Sequence, residues 1–231
     1  MARLARAVIA DLPHHITQRG NRRQPTFFNE ADYVLYVALM SESCDRWDVE
    51  VWAWCLMPNH VHLIVVPPSA EALRRAIGEA HRKYTTEVNE REGWRGCLWQ
   101  GRFASFVMDE AYTLAAARYV ELNPVRAGLV ARPEEYLWSS AGAHLRGRDD
   151  ALCQVAPLLD RVGDWSRFLG APPDENAALE IRKHQSTGRP LGSDAFIDEL
   201  ERKLGRPLRP RKPGPMPGAA NDDAETEEAV A

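Results

Sequence analysis

The chain has 231 residues, of which 45% are hydrophobic and 27% are charged, and its formal net charge is −4. A chain of this length and composition can form one globular domain with an extension. Its four cysteines are far apart and form no Cys-x-x-Cys motif, which argues against a zinc ribbon, a redox pair and a disulfide framework. Since no run of about 18 apolar residues occurs, we expect a soluble, cytoplasmic protein without a membrane partner.

The charge is unevenly distributed along the chain. The segment after Lys212 is rich in proline and glycine and then acidic, and it predicts a disordered acidic tail over 213–231. The whole chain has 29 basic and 33 acidic side chains, and five of the acidic ones and none of the basic ones lie in this tail. Residues 1–212 are therefore close to neutral. Basic residues cluster in 19–23 and 202–212, and such clusters matter more for phosphate contact than the total charge does.

Strand-forming and helix-forming segments alternate between residues 14 and 123. Asn29, Ser69 and Asp109 each precede an apolar stripe at helical spacing, which predicts a helix capped by that residue. In chain order the predicted elements are a strand at 14–18, a helix after Asn29, strands at 49–57 and 60–66 joined by a Pro58-Asn59 turn, a helix from Ser69 to about Glu92, a strand or strand pair at 97–107 and a helix from Asp109 to about Asn123. This order predicts an α+β fold, a ferredoxin-like or RRM-like antiparallel sheet packed with helices.

A His-Val-His motif, His60-Val61-His62, begins the strand predicted at 60–66. Side chains alternate sides along a strand, so both imidazoles project from one face, where they can reach one divalent metal. Such a pair also arises by chance, so the motif alone is a weak signal. Polar residues on an otherwise apolar strand need a partner, which hydrogen bonds, solvent or a metal can provide.

Tyr119 and Asn123 lie at the end of the helix that follows Asp109. Pro124 disfavours helical geometry in the residue before it, so the helix stops near Asn123. The two residues are four apart on one face, where a phenol can attack phosphorus and an amide oxygen can bind Mg²⁺ or Mn²⁺. The alternatives are a core aromatic for Tyr119 and an N-cap role for Asn123 in a second short helix. Tyr112, two turns earlier on the same face, is the competing nucleophile.

Four segments of the chain occur in the same order in one protein family. They are HHITQRGNRRQ at 14–24, MPNHVHL at 57–63, WQGRF at 99–103 and YVELNPVRAGLV at 119–130. With these motifs, residues 1 to about 145 resemble the REP-associated tyrosine transposases, which belong to the HUH superfamily of single-tyrosine nucleases and transposases. The resemblance divides the chain into an HUH domain at 1–145, a helical, basic C-terminal extension at 146–212 and the tail.

The resemblance implies an activity and a site. Family members bind single-stranded DNA hairpins of repeated extragenic palindromes and, with Mg²⁺ or Mn²⁺, cut beside them, leaving a 5′-phosphotyrosine and a free 3′-OH. By position Tyr119 is the catalytic nucleophile, and His60 and His62 are metal ligands. Asn123 stands where relatives have the glutamine of a Tyr-x-x-x-Gln arrangement, so the third ligand is left open.

Basic and polar residues in three segments are candidates for DNA contact. They are Arg19, Asn21, Arg22 and Arg23 in the first turn, Gln100 and Arg102 in the predicted strand, and Arg206, Arg209, Arg211 and Lys212 in the extension. Without DNA contact, the first segment would be a solvated turn, the second a solvent-exposed strand face and the third a basic linker. In the extension Gly-Arg-Pro-Leu occurs twice, at 188–191 and 205–208, and it resembles the minor-groove tripeptide of AT-hooks. Ordinary helix termination explains this repeat better.

Three functions are compatible with the sequence. The first is a DNA-hairpin nuclease and transposase, acting as a monomer or a homodimer. The second is a domesticated hairpin-binding protein or regulator of the same fold that has no catalysis. The third is a metal-independent phosphoesterase with two His-x-Thr/Ser strands, which ranks last because His15-Ile16-Thr17 has no second copy.

Overall fold

The computed structural model describes residues 6–210, so the predicted tail lies outside the described residues. One antiparallel sheet has the spatial order β2-β3-β1-β4, with β1 (His14–Arg19), β2 (Glu50–Met57), β3 (His60–Val66) and β4 (Ala104–Val107). The helices are α1 (Glu30–Arg46), α2 (Ala70–Glu92), α3 (Glu110–Glu121), α4 (Asn123–Arg126), α5 (Ala141–Arg146), α6 (Ala156–Val162), α7 (Trp165–Gly170), α8 (Glu175–Thr187) and α9 (Asp194–Leu204). Up to α3 the order is β-α-β-β-α-β-α, so the predicted α+β sandwich is confirmed.

Side-chain caps determine where the three long helices of the sandwich begin. Asn29, Ser69 and Asp109 each accept a hydrogen bond at 3.0 Å from the backbone N–H three residues ahead. These bonds satisfy N–H groups that the first turn of a helix leaves unpaired. At its other end α2 stops at Gly93, whose φ of +66° is the left-handed conformation common after a helix.

Helices cover both faces of the sheet. On one face α1 and α2 pack against Val61, Leu63 and Val65 of β3, and on the other face α3 packs against Ile64. This division follows from the alternation of side chains along a strand. His62 has the same parity as Ile64 and therefore lies on the α3 face.

The segment before β4 differs from the prediction. The sequence predicts a strand or strand pair over 97–107, whereas only the last four residues of that range form β4. Gly101 has a left-handed φ of +72°, which interrupts an extended chain, and before it Trp99 forms an isolated bridge to Gly20, the residue after β1. Gln100 and Arg102 therefore lie on a loop, and their predicted alternation along a strand is wrong.

Helices α6 to α9 pack directly on the sandwich. Leu158, Trp165 and Ile181 are buried in the same apolar cluster as the inner face of α3. The backbone N–H of Leu191 donates to the carbonyl of Val107 at 2.9 Å, which ties the segment between α8 and α9 to β4. The part of the C-terminal region that the structure describes is therefore helical and shares its core with the sheet. That residues 1–145 form a domain of their own stays a prediction.

The helices have one buried face each and charged residues elsewhere. The longest, α2, has 23 residues and buries Leu73, Ile77 and Tyr84. Within residues 6–210 every helix is too short or too polar to cross a lipid bilayer.

The two Gly-Arg-Pro-Leu segments begin at Gly188 and Gly205, the residues that follow α8 and α9. Their φ values of +69° and +61° are left-handed, the conformation common after a helix. The structure therefore supports helix termination as the role of the glycines in this repeat.

Candidate active site

The two histidines of the His-Val-His motif lie at the start of β3, on the face that α3 covers. Nδ1 of His60 is 2.6 Å from Oδ1 of Asn59, and Nδ1 of His62 is 3.0 Å from Nε2 of His15. The ring centroids of His60 and His62 are 5.0 Å apart. Because Nδ1 of each ring has a protein partner that orients the ring, Nε2 is the atom that each can offer to a cation.

Burial keeps these histidines neutral. The imidazolium form loses its solvation in the interior, so burial lowers the pKa of His15 to about 3 and, together with nearby Arg19, that of His60 to about 4. Burial, and then the neighbouring His60 and His15, lower the pKa of His62 well below its usual value. At neutral pH each ring is therefore an uncharged imidazole, the form in which histidine binds a metal.

Tyr119 lies over the histidines, in the last turn of α3. Its ring centroid is 5.8 Å from that of His62 and 6.3 Å from that of His15. The guanidinium carbon of Arg126 is 3.9 Å from the centroid of the phenol ring, and Nη2 of Arg126 donates to the Tyr119 carbonyl at 2.8 Å. Among the tyrosines of residues 6–210, Tyr119 is the one whose ring contacts these histidines, whereas Tyr112 does not.

Asn123, the predicted third ligand, is the first residue of α4. The residue before it occupies the N-cap of α4, so the alternative N-cap role of Asn123 is wrong. Its Nδ2 is buried without a hydrogen-bond partner in the described part of the chain, which is uncommon for an amide. No three His, Cys, Asp or Glu side chains within residues 6–210 are grouped to hold a metal. The remaining ligands of a cation held by His60 and His62 would therefore be oxygen atoms of an amide, of water or of a phosphate.

A cleft of ≈ 730 Å³ lies beside the two histidines. Of the described residues that line it, five are arginines and none is acidic, and a concave surface of this charge attracts a polyanion. The cleft brings the predicted DNA-contact residues Arg19, Arg22, Arg23, Gln100 and Arg102 together with His60 and His62. The spacing of these residues in the sequence does not predict this convergence, but the family motifs contain all of them.

Sequence reasoning misses one wall of the cleft. Arg182, Gln185 and Ser186 of α8 line it together with the turn after β1. They are placed there because Ala178 and Ile181 are buried where α8 packs against α3 and β4. The amphipathic pattern of α8 indicates a helix, but no signal in the sequence shows which part of the sheet it covers.

The turn between β1 and α1 is strained where it meets the cleft. A Cβ on Gly20 would lie 2.3 Å from the backbone oxygen four residues later, so only glycine fits. Arg22 and Arg23 have φ values of +53° and +62°, and a left-handed non-glycine residue costs roughly 1–2 kcal/mol. Both arginines line the cleft, whereas Asn21 does not, although it belongs to the same turn.

The basic residues predicted in the C-terminal extension lie away from the cleft or outside the described residues. Arg209 forms ion pairs with three acidic side chains of α9 at 2.6–3.2 Å, and these partners raise the pKa of its guanidinium. Arg206 donates a hydrogen bond to the carbonyl of Arg6 at 3.0 Å. Arg211 and Lys212 lie outside the described residues. DNA contact by these four residues stays a prediction.

A second buried polar cluster is centred on Glu121, the last residue of α3. Its Oε1 accepts hydrogen bonds from Ser140 Oγ at 2.5 Å and from His144 Nδ1 at 2.7 Å, and its Oε2 accepts one from Trp165 Nε1 at 2.7 Å. The rings of His144 and Trp165 stack with centroids 4.3 Å apart. This cluster ties α3 to α5 and α7 and so fixes the end of the helix that carries Tyr119.

Comparison with known families places the site in context. The model of the family described as IS200-like transposases matches residues 9–123, which run from the segment before β1 to the first residue of α4. Residues 9–123 form an IS200-like transposase domain. This domain contains His60, His62, Tyr119 and Asn123, whereas the cleft residues of α8 lie outside it. No curated protein matches the chain at a significant level.

Two solved structures are similar to this chain, and one of them shows the same fold. The structure of the REP-associated tyrosine transposase bound to a REP hairpin matches with a TM-score of 0.55 and 20% identity, over 67% of this chain and 92% of that one. A candidate transposase from Deinococcus radiodurans matches with a TM-score of 0.37 and 18% identity, over 52% of this chain and 96% of that one. The first match shows that the four-stranded sheet and its helices have the fold of a tyrosine transposase.

Proposed function

We propose that the protein is a metal-dependent single-stranded DNA endonuclease and strand transferase that acts on hairpins of repeated extragenic palindromes. One observation carries the proposal: the ring of Tyr119 contacts that of His62, which lines a cleft with five arginines among its described residues. A nucleophile, two metal-binding groups and a phosphate-binding surface are thus next to each other. A tyrosine transposase of the same fold is bound to a REP hairpin, which supports the choice of substrate.

The side chains have separate roles in the proposed reaction. His60 and His62 would hold Mg²⁺ or Mn²⁺, with Asn123 as the proposed third ligand. When bound, the ion would polarise the scissile phosphate. The phenol oxygen of Tyr119 forms a bond to phosphorus while the bond from phosphorus to the 3′ oxygen breaks. The phenol loses its proton and the leaving oxygen gains one, so the products are a 5′-phosphotyrosine and a free 3′-OH. Attack by a 3′-OH reverses the step and transfers the strand.

The cleft supplies the affinity for DNA. Arginines of the first turn, of the loop before β4 and of α8 line it, so three segments of the chain can neutralise backbone phosphates there. Gln18, Gln100 and Gln185 line the same cleft and can hydrogen-bond base edges. This division predicts binding that weakens steeply with salt and persists without a metal ion.

A covalent adduct is the experimental test of the proposal. The protein is incubated with a 3′-labelled hairpin strand and Mn²⁺ and then run on a denaturing gel. We expect a shifted band that EDTA prevents, because a phosphotyrosine link survives denaturation. An unpaired strand of scrambled sequence is the control. If no hairpin gives an adduct while hairpins still bind, the non-catalytic hairpin-binding protein is the correct function.

A further inference from the structure

We propose that His15 is a positioning residue that determines which ring nitrogen of His62 carries the proton. The inference rests on the metal centre of the proposed function and adds a residue to it. His15 lies on β1, the strand next to β3, and its Nε2 is 3.0 Å from Nδ1 of His62. His15 is fully buried and His62 is 3% exposed, so water does not substitute for this hydrogen bond.

The hydrogen bond between the two rings can form in two ways, because a neutral imidazole has one N–H. If Nε2 of His15 donates, the proton of His62 is on its Nε2, and that nitrogen has no lone pair for a cation. If Nδ1 of His62 donates, its Nε2 has the lone pair. Cation binding therefore requires the second arrangement, in which His15 is the acceptor.

The surroundings of His15 oppose the second arrangement when no cation is bound. In that arrangement the proton of His15 is on Nδ1, which is buried and has no hydrogen-bond partner among the described residues. A buried N–H without an acceptor is more unfavourable than a buried acceptor that is not used. The metal-free protein therefore holds His62 with its proton on Nε2. When a cation binds, Nε2 of His62 loses its proton. The proton in the hydrogen bond moves from Nε2 of His15 to Nδ1 of His62, and Nδ1 of His15 gains a proton, so both rings stay neutral.

His14, the preceding residue of β1, provides a matched control. It is as fully buried as His15, but its Nδ1 bonds the carbonyl of Leu12 at 2.7 Å and its Nε2 accepts from the N–H of Ile9 at 3.3 Å. Its tautomer is therefore fixed by the segment before the strand. Alternation along the strand also directs it to the opposite face from His15.

Mn²⁺ affinity of the DNA-free, full-length protein tests the role of His15. His15→Leu has a similar volume and removes the acceptor, so we expect about 10–100-fold weaker binding, the usual effect of losing the partner of a metal-binding histidine. His15→Gln places an amide oxygen near the position of Nε2, and we expect it to restore most of the affinity. His14→Leu should lower the stability of the fold but leave the affinity of the folded protein unchanged.

Nitrogen-15 NMR of the histidine side chains, with Zn²⁺ as a diamagnetic probe, reports the tautomers directly. We expect the proton of His62 on Nε2 without metal and on Nδ1 with Zn²⁺. Equal Mn²⁺ affinity of the wild type and His15→Leu would overturn the proposal, as would a metal-free spectrum with the proton already on Nδ1. If His15→Leu does not fold, His15→Gln and the spectra decide. If the wild type itself binds neither ion, the metal centre of the proposed function is wrong, and the role of His15 with it.

Discussion

Two buried polar clusters lie within one turn of α3, and they differ in how completely their hydrogen bonds are made. Both oxygens of the Glu121 carboxylate have donors, which come from three other buried side chains. Two residues earlier, Tyr119 contacts His62, whose imidazole bonds only one other side chain in the described part of the chain and lines an open cleft.

The comparison shows that burial alone does not distinguish a structural polar residue from a functional one. Glu121 and His62 are both almost completely buried. A buried carboxylate with three donors stabilises one arrangement of the chain, and its loss leaves those donors unpaired. A buried imidazole with one unused nitrogen at a cleft can bind something else. α3 therefore anchors itself through Glu121 and presents Tyr119 to the histidines.

Removal of either proposed metal ligand, His60 or His62, should have the largest effect. We expect His60→Ala and His62→Ala each to lower hairpin cleavage by several orders of magnitude, because the scissile phosphate is no longer polarised. Hairpin binding should stay close to that of the wild type, since affinity comes mainly from phosphate contacts. Gel cleavage assays and binding titrations in Mn²⁺ measure both. Undiminished cleavage by both variants would mean that these histidines are not a metal site.

The Glu121 cluster should respond in the opposite way, through stability. Glu121→Gln removes a charged acceptor of three hydrogen bonds, and we expect a loss of about 2–3 kcal/mol in the free energy of unfolding. Urea denaturation measures it. Glu110→Gln is the control at the other end of α3, because its side chain is 72% exposed and pairs loosely with Arg161, and it should cost less than about 0.5 kcal/mol. Equal stability of the two variants would contradict the anchoring role of Glu121.

Buried neutral histidines outside the site should make stability depend on pH. Burial lowers the pKa of His14 to about 4 and that of His81 to about 3. Below about pH 6.5 the unfolded chain takes up protons that the folded chain does not, so each such group lowers stability by up to about 1.4 kcal/mol per pH unit. We expect urea midpoints to be constant above pH 7 and to fall from pH 6.5 toward pH 4. A smaller fall in His81→Leu would assign that residue's share, and equal midpoints at pH 7 and 5 would refute the prediction.

The smallest expected effect concerns the wall of the cleft formed by α8. Arg182→Ala should weaken hairpin binding a few-fold and reduce the slope of log K against log salt by about one, the value for one phosphate contact. Lys183→Ala is the control on the same helix, because Lys183 pairs with Glu180 at 3.0 Å and does not line the cleft. Salt titrations of both variants measure the difference. If they gave the same slope, α8 would not contact the DNA.

The fold of the sandwich is predictable from the sequence because its signals are local. Asn29, Ser69 and Asp109 cap the helices they were expected to cap, and alternation along β3 places His60 and His62 on one face. The strand predicted at 97–107 is too long because one glycine φ angle, at Gly101, decides where the extended chain is interrupted.

The site is only partly predictable because its completion depends on long-range packing. Family motifs bring Tyr119 and the two histidines into consideration, and in the structure the ring of Tyr119 contacts that of His62, which in turn contacts that of His60. The position of α8, and with it Arg182 in the cleft, depends on which apolar surface of the sheet is left uncovered. The hydrogen bond between His15 and His62 spans 47 residues of sequence and has no sequence signature.

Mapping the residue that becomes covalently attached to DNA is the most direct test of a nucleolytic site on α3. The adduct formed with a hairpin in Mn²⁺ is digested with protease and nuclease, and the modified peptide is sequenced by mass spectrometry. We expect the nucleotide on Tyr119, loss of the adduct in Tyr119→Phe with little change in stability, and an undiminished adduct in Tyr112→Phe. Attachment to Tyr112, or an adduct that persists in Tyr119→Phe, would contradict the assignment of the nucleophile.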